Sequence, residues 1–413
     1  MFYFLLLLFT ATGFLILLKL PFVKRSGIPV SEMGIFFLLR IISGIILGWI
    51  TLNFYPGGND YWGLNEQGIN EHHFLVHDPV GFFKDLFHSN YGNYSGLFGA
   101  VGTYWNDLKN ILLGKFLAFC NILTNGNYYL NSVIWNTLGM LGSVAYYRGW
   151  LILHPQSKKA AKLAAFLIPS TIYFSSGIHK DLIIFTLLGI FFFCMVNLGE
   201  RTRRKYIGFL VLSGLLIFLI RNYLSVVLIP LGILYIIIKR RKLNPGWVYG
   251  SSVFLVILLL LLLPLSGPKF SIFRIIAERQ EDFSELKAGG SAIHKPKLSA
   301  KPAVFLETLP SALKDGFLEP LVWNQPVSIM GFSIEWMIIW VLFIFFLIRW
   351  KNTVSGSDPT LLIFSWLLCF TLFLITGFIV NNLAAIVRYR SIFLPLLTFP
   401  LLNNLNLQKH IKL

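Results

Sequence analysis

The stretch PSTIYFSSGIHKD, residues 169–181, sets His179, Lys180 and Asp181 between two apolar runs with no loop to hold them. Ser175, Ser176 and Gly177 can end one helix. The next then starts with its positive dipole end beside the Lys180 ammonium. Free backbone N–H groups, a dipole and an ammonium make an anion site. The same residues also have a structural use, with Asp181 capping the second helix and Lys180 reaching lipid headgroups. Arg221, in LIRNYLSVVLIP, stands at a second interruption. A guanidinium cannot be neutralised, so it requires a carboxylate, a phosphate or carbonyl groups. Asp181 or a headgroup would satisfy it as well as a ligand would. In NNLAAIVRYR, residues 381–390, Arg388 and Arg390 flank Tyr389. Two Arg with two Asn suit a phosphate or a sugar, and headgroup anchoring is the competing use.

A fourth place is FYPGGNDYWGLNEQG, residues 54–68, where Asp60, Tyr61 and Trp62 follow a Pro-Gly-Gly break. A carboxylate there, Asp60 or Glu66, can act as a base or hold a metal, and aromatic faces stack on sugar rings. The structural alternative is a turn followed by an interfacial aromatic belt. In NEHHFLVHD, residues 70–78, His73 and His77 share a face if the segment is helical, the spacing of zinc sites. No HExxH and no distant ligand accompany them, so no cofactor is predicted; a divalent metal is the one alternative. Cys120, Cys194 and Cys369 show no paired spacing and read as small core hydrophobes.

The elements that must position these residues follow from composition. Of 413 residues, 56% are hydrophobic and 13% charged, where a soluble chain is about a quarter charged. Apolar runs such as 246–265 and 330–348 approach the roughly 20 residues that cross a bilayer. The fold class is therefore an all-α polytopic membrane protein. The opening MFYFLLLLFTATGFLILLKL has neither a basic leader nor a small-residue cleavage site and reads as a retained first helix.

The net charge of +17 invites a nucleic-acid partner, but its distribution excludes that reading. Basic clusters at Lys19–Arg25, Arg148–Lys162, 201–205, 239–242, Arg349/Lys351 and Lys409/Lys412 hold 19 of the 35 Lys and Arg and only three of the 18 acids. Short Lys/Arg-rich loops stay in the cytoplasm. These anchors predict about eleven spans in a single integral membrane domain, 1–413, with the N-terminus out and the C-terminus in. The spans fall near 2–19, 33–54, 128–147, 161–177, 182–198, two within 206–238 turning at Arg221–Asn222, 247–265, 330–348, 360–379 and 391–405. Residues 55–126 and 266–329 become external segments. In the first, 78–88 is expected as an interfacial helix with Val80, Phe83 and Phe87 on one face, and 110–124 as a second.

In order along the chain, PGGNDYW, PSTIYFSSGIHKD, IRNYLSVVLIP and VRYRSIFLPLL resemble short elements of bacterial polysaccharide-assembly proteins. The group is that of exopolysaccharide and O-antigen polymerase-like proteins and membrane-embedded glycosyltransferases of the GT-C type. Here Asn59 intervenes, giving Gly-Gly-Asn-Asp. The resemblance implies a bacterial inner-membrane, multi-pass protein whose partners are a polyprenyl-diphosphate-linked sugar, a glycan acceptor and membrane lipids. It implies Asp60 as base and Lys180, Arg221, Arg388 and Arg390 as diphosphate or acceptor ligands, with His179, Asp181, Tyr61 and Trp62 beside them. Such a site requires the turns to converge on one external cavity. The competing expectations are a transporter or flippase, which places charge at broken helices near the bilayer midplane, and a non-catalytic assembly protein of a cell-envelope glycan pathway.

Overall fold

The computed structural model describes residues 1–55, 59–87, 104–200, 204–262, 271–285, 290–321, 327–349 and 358–405. The Pro56-Gly57-Gly58 break, His88, Arg201, Arg203, Lys351, Lys409 and Lys412 lie outside these residues. The described chain is helical. Its helices are α1 (Phe2–Lys19), α2 (Pro21–Lys24), α3 (Val30–Phe54), α4 (Asp60–His77), α5 (Pro79–Lys84), α6 (Tyr104–Thr124), α7 (Tyr128–Leu153), α8 (Lys158–Phe166), α9 (Pro169–Phe174) and α10 (Lys180–Glu200). They continue with α11 (Lys205–Ile220), α12 (Asn222–Arg241), α13 (Pro245–Leu262), α14 (Ile272–Glu285), α15 (Pro302–Leu313), α16 (Val327–Ile348), α17 (Pro359–Ile379), α18 (Leu383–Ser391) and α19 (Leu394–Asn404). The helix starts are written in the chain. Pro21, Pro79, Pro169, Pro302 and Pro359 open helices, where the missing N–H costs nothing. Asn59, Asp78, Asp358 and Asn382 cap them by accepting from free backbone N–H groups.

Among the described residues seven helices are long and apolar enough to cross a membrane: α1, α3, α10, α12, α13, α16 and α17. The pair α18 and α19, bent by 67°, makes an eighth if counted as one span. The remaining expected spans take other forms. Residues 128–147 lie in α7, whose 26 residues carry Asn131, Ser132, Asn136 and Ser143 in the protein interior. Residues 161–177 form no single helix. Pro169 pushes Ile168 out of helical geometry and divides the segment into α8 and α9. The segment 206–238 holds the 16-residue α11 and then α12. Ser225 Oγ lies 3.4 Å from the Gly214 carbonyl, eleven residues back. In a continuous helix that separation is about 16 Å, so the chain reverses at Arg221, as the sequence predicts.

The chain forms two compact units. The first comprises Met1–Ile152, Ala165–Cys194 and Ile207–Ser225. Its core includes Leu47, Tyr61, Leu117, Tyr128, Trp135, Ile178 and Leu182. Close approach of helices relies on glycine. A Cβ on Gly48 would lie 2.3 Å from the Tyr128 ring, and one on Gly189 2.5 Å from the Gly142 carbonyl. Helices α4 and α6 pack onto this core. Asn131 of α7 donates to Asn65 of α4 and to Asn121 of α6, at 3.0 and 2.7 Å. Lys115, inside the expected interfacial helix 110–124, is buried against Glu71 (3.0 Å), Asp85 (3.4 Å) and the Phe82 ring (3.8 Å). In α5 the buried anchor is Phe82, while Val80 and Phe83 stay exposed.

The second unit comprises Leu153–Ala164, Met195–Tyr206 and Val226–Leu413. Lys239 pairs there with Glu200 and Asp358, at 2.6 and 2.9 Å. A π-helical turn, Lys314–Leu318, follows α15. Gln280 of α14 bonds the Pro296 and Phe378 carbonyls and the Leu298 N–H, which ties the loop 291–300 to the end of α17.

Gly44→Ala and Gly63→Ala separate packing from propensity. A Cβ on Gly44 meets the Ser176 carbonyl at 2.4 Å and Asn136 Nδ2 at 2.6 Å; one on Gly63 meets nothing within 4 Å. Gly44→Ala is expected to cost about 1–3 kcal/mol through overpacking. Gly63→Ala is expected to be neutral or to stabilise by up to about 1 kcal/mol. The readout is the denaturation midpoint of each variant in detergent micelles.

Candidate functional site

The site is built around the gap between α9 and α10. Ser175 and Ser176 each donate their hydroxyl back to the carbonyl four residues earlier, Thr171 and Ile172. Such back-bonding weakens a helix end. The freed carbonyls are met from other helices. Arg40 of α3 donates through Nη2 to the Ser175 carbonyl and, at 3.1 Å, to its hydroxyl. Asn136 of α7 donates to the Ser176 carbonyl at 2.7 Å. Gly177 fits because no side chain could: a Cβ would lie 2.7 Å from both Leu47 and Tyr61.

The chain then enters α10 through His179 and Asp181, both buried. His179 Nδ1 is 2.9 Å from Asp181 Oδ2. The other carboxylate oxygen, Oδ1, takes a charged hydrogen bond from Arg221 Nη2, delivered by the reversal between α11 and α12. On the opposite edge of the imidazole, Nε2 lies 3.7 Å from Asp60 Oδ2, at the start of α4. The Asp60 side chain is 55% exposed, that of His179 3%. Tyr61 packs its ring 4.9 Å from the imidazole. Trp62 donates to the Gly48 carbonyl at 3.0 Å and stacks on Tyr128 at 4.3 Å. The first unit thus gathers Asp60, Tyr61, Trp62, His179, Asp181 and Arg221, drawn from three separate stretches of sequence.

Other expected residues stand apart from this array. Glu66 is exposed, six residues along α4 from Asp60. That places it roughly 240° round the helix and about 9 Å along its axis. Lys180 is half-buried and pairs with none of the described residues. His179 and Asp181 are buried in protein, and the pairing of Asp181 with Arg221 offsets the cost of burying its charge. Arg221, expected to meet a diphosphate, is committed to Asp181, the structural partner open to it from the sequence.

Arg388 and Arg390 belong to the second unit, on α18. Arg390 is buried, donates to the Gly316 carbonyl of the π-helical turn at 3.2 Å and lies 4.1 Å over the Trp336 ring. Arg388 is half-buried and sits 5.3 Å from the Tyr389 ring. Nearby in that unit Lys295 pairs with Asp315 at 3.0 Å, and burial draws the ammonium's pKa down against the carboxylate's pull. Among the described residues no group of three or more His, Cys, Asp and Glu is arranged to hold a metal ion. His77 turns Nδ1 to the His73 carbonyl, at 2.8 Å.

Arg40 and Asn136 were not singled out as site residues from the sequence. For Arg40 a signal was present. It interrupts the apolar run IFFLLRIISG, and a charge inside a span marks function by default. Its spacing from Gly44 and Gly48, four and eight residues on, puts all three on one helix face. Asn136 carries no comparable mark.

The helices and their apolar faces define an all-α, multi-pass membrane protein with a buried His–Asp–Arg array. No protein-family model, no curated protein and no solved structure matches this chain.

Removing one partner of a buried ion pair leaves the other uncompensated, at about 3–5 kcal/mol. Arg221→Met is expected to destabilise the protein by that amount. The double variant Asp181→Asn, Arg221→Met is expected to recover much of it. A double-mutant cycle on unfolding in mixed micelles measures the coupling, and additive losses would contradict the pairing.

Proposed function

We propose that this chain is a membrane-embedded glycosyltransferase or polysaccharide polymerase. It takes a sugar from a polyprenyl-diphosphate carrier at the extracytoplasmic face of a bacterial inner membrane. The supporting observation is a solvent-facing carboxylate, Asp60, 3.7 Å from a buried histidine. A half-buried ammonium, Lys180, opens the neighbouring helix. Glycosyl transfer needs those two things: a group that takes the acceptor's proton and fixed positive charge where the leaving diphosphate gathers negative charge. Lys180 and the N-terminus of α10 supply the charge. Tyr61 and Trp62 shape the apolar wall beside Asp60. The accompanying topology is eleven spans with N-terminus out and C-terminus in.

One observation favours a transporter or flippase instead. Buried charge sits at an interrupted helix, the geometry such proteins use for their substrates. Mass spectrometry of polyprenyl-linked glycans from cells with and without the gene separates these readings. A polymerase leaves single repeat units accumulating and no long chains. A single-sugar transferase leaves a truncated unit. A flippase leaves complete units that external glycosidases cannot reach. An unchanged lipid-linked pool removes the enzyme reading.

The topology has its own test. With Cys120, Cys194 and Cys369 replaced by Ser, a cysteine at Lys301 is expected to react with an impermeant maleimide added outside intact cells. A cysteine at Lys159 is expected to react only after lysis.

A further inference from the structure

We propose that His73 and His77 of α4 hold one divalent transition-metal ion of the copper, nickel and zinc class, independently of the transfer reading above. The two residues are four apart in an 18-residue helix. Their side chains therefore rise from one face, a turn apart. Both are exposed, and their ring centres lie 6.5 Å apart. Two imidazoles that share an ion, each nitrogen about 2.0–2.1 Å from it, bring their centres to roughly 5–6 Å. Exposed side chains close that difference by turning about their own bonds.

One ring is already set to bind. His77 Nδ1 lies 2.8 Å from the His73 carbonyl oxygen. A carbonyl oxygen only accepts, so the neutral ring carries its proton on Nδ1 and its lone pair on Nε2. Metal-binding histidines are held in this way, with the other ring nitrogen donating to a carbonyl or a carboxylate. The bond also ties His77 to the backbone of the residue that supplies the second ligand.

The helix beneath is firmly held. On its opposite side α4 is fixed to α6. His72 Nδ1 donates to the Ala118 carbonyl at 3.2 Å, and Gln67 donates to the Asn110 carbonyl at 3.1 Å. Glu71 pairs with Lys115 at 3.0 Å. Just past His77, Asp78 accepts from the Gly81 N–H at 2.8 Å and caps the next helix. Glu66 and Asn70 continue the exposed strip towards the start of α4.

Among the described residues no third His, Cys, Asp or Glu is placed to join the pair, so water completes the coordination. Imidazole donors suit copper, nickel and zinc, with affinity peaking at copper. Magnesium and calcium take oxygen ligands and do not fit this donor set. An ion held at positions 73 and 77 ties two successive turns and favours the helical state of that segment.

The test uses full-length protein in nanodiscs, purified without a histidine tag and stripped of metal by a chelator. Copper(II), nickel(II) and zinc(II) salts are titrated singly by calorimetry. One equivalent is expected to bind, most tightly for copper, with magnesium giving no heat. His73→Ala and His77→Ala are each expected to weaken that binding by at least about tenfold, because loss of even an outer-shell partner costs about 10–100-fold. The double variant is expected to lose no more than either single variant, since both ligands serve one ion. His294→Ala removes an exposed histidine of the second unit and is expected to change nothing. Zinc is expected to slow hydrogen exchange at the amides of residues 70–77 in wild-type protein and not in His77→Ala. Single variants that each lose half of the bound copper would show two independent histidines and overturn the proposal. Single variants that bind as wild type, or an exchange effect that survives His77→Ala, overturn it too. No heat from any of the three metals does so outright.

Discussion

A helix broken inside apolar protein leaves carbonyl groups with no water to meet them, and the first unit is organised around that constraint. Each unmet group would cost several kcal/mol in a lipid-like surrounding. Arg40 and Asn136 reach the carbonyls of Ser175 and Ser176. Their reach requires α3 and α7 to lie close against the break. Gly44 makes that closeness feasible, since a Cβ there would strike both the Ser176 carbonyl and Asn136. The gap that results between α9 and α10 is what lets His179 face α4 and Asp181 face Arg221.

Charge follows the same logic. Asp181 and Arg221 are each too expensive to bury alone, and together they sit in the interior with Arg221 donating to one carboxylate oxygen and His179 Nδ1 2.9 Å from the other. Arg40 differs. Among the described residues its guanidinium meets hydroxyl and carbonyl oxygens with no carboxylate, and the Phe185 ring lies 5.2 Å away. One buried arginine thus locks backbone and the other locks a carboxylate. The first lock lies at Ser175, just before the break, and the second at Asp181, just after it.

The second unit solves a similar backbone problem with different side chains. The π-helical turn at Lys314–Leu318 puts its Gly316 and Phe317 carbonyls out of the usual helical register. Arg390 takes the first; the indole N–H groups of Trp336 and Trp340 take the second, at 2.8 and 2.7 Å. Lys295 meets Asp315 and the Gly377 carbonyl. Gly316 and Gly377 bring the turn and α17 together, each with a backbone carbonyl where a Cβ would go.

Composition, charge distribution and run length were enough to read an all-α membrane protein, because each span must satisfy its own backbone and shed its charge to the flanks. The reversal at Arg221 was legible for the same reason: a polar pair between two apolar runs, with basic clusters at both far ends. Asp60, His179, Asp181 and Arg221 could be picked out because ionisable residues are rare in such a chain. Their mutual geometry could not. Pairing between residues 40 positions apart depends on which helix faces meet, and that is set by packing at Gly44, Gly48 and Gly177. The tertiary structure alone decided that Arg221 meets Asp181, that Phe82 anchors α5 in the protein interior, and that residues 161–177 divide at Pro169. A local sequence pattern specifies what a segment must bury. Only the neighbours that come to cover it determine how.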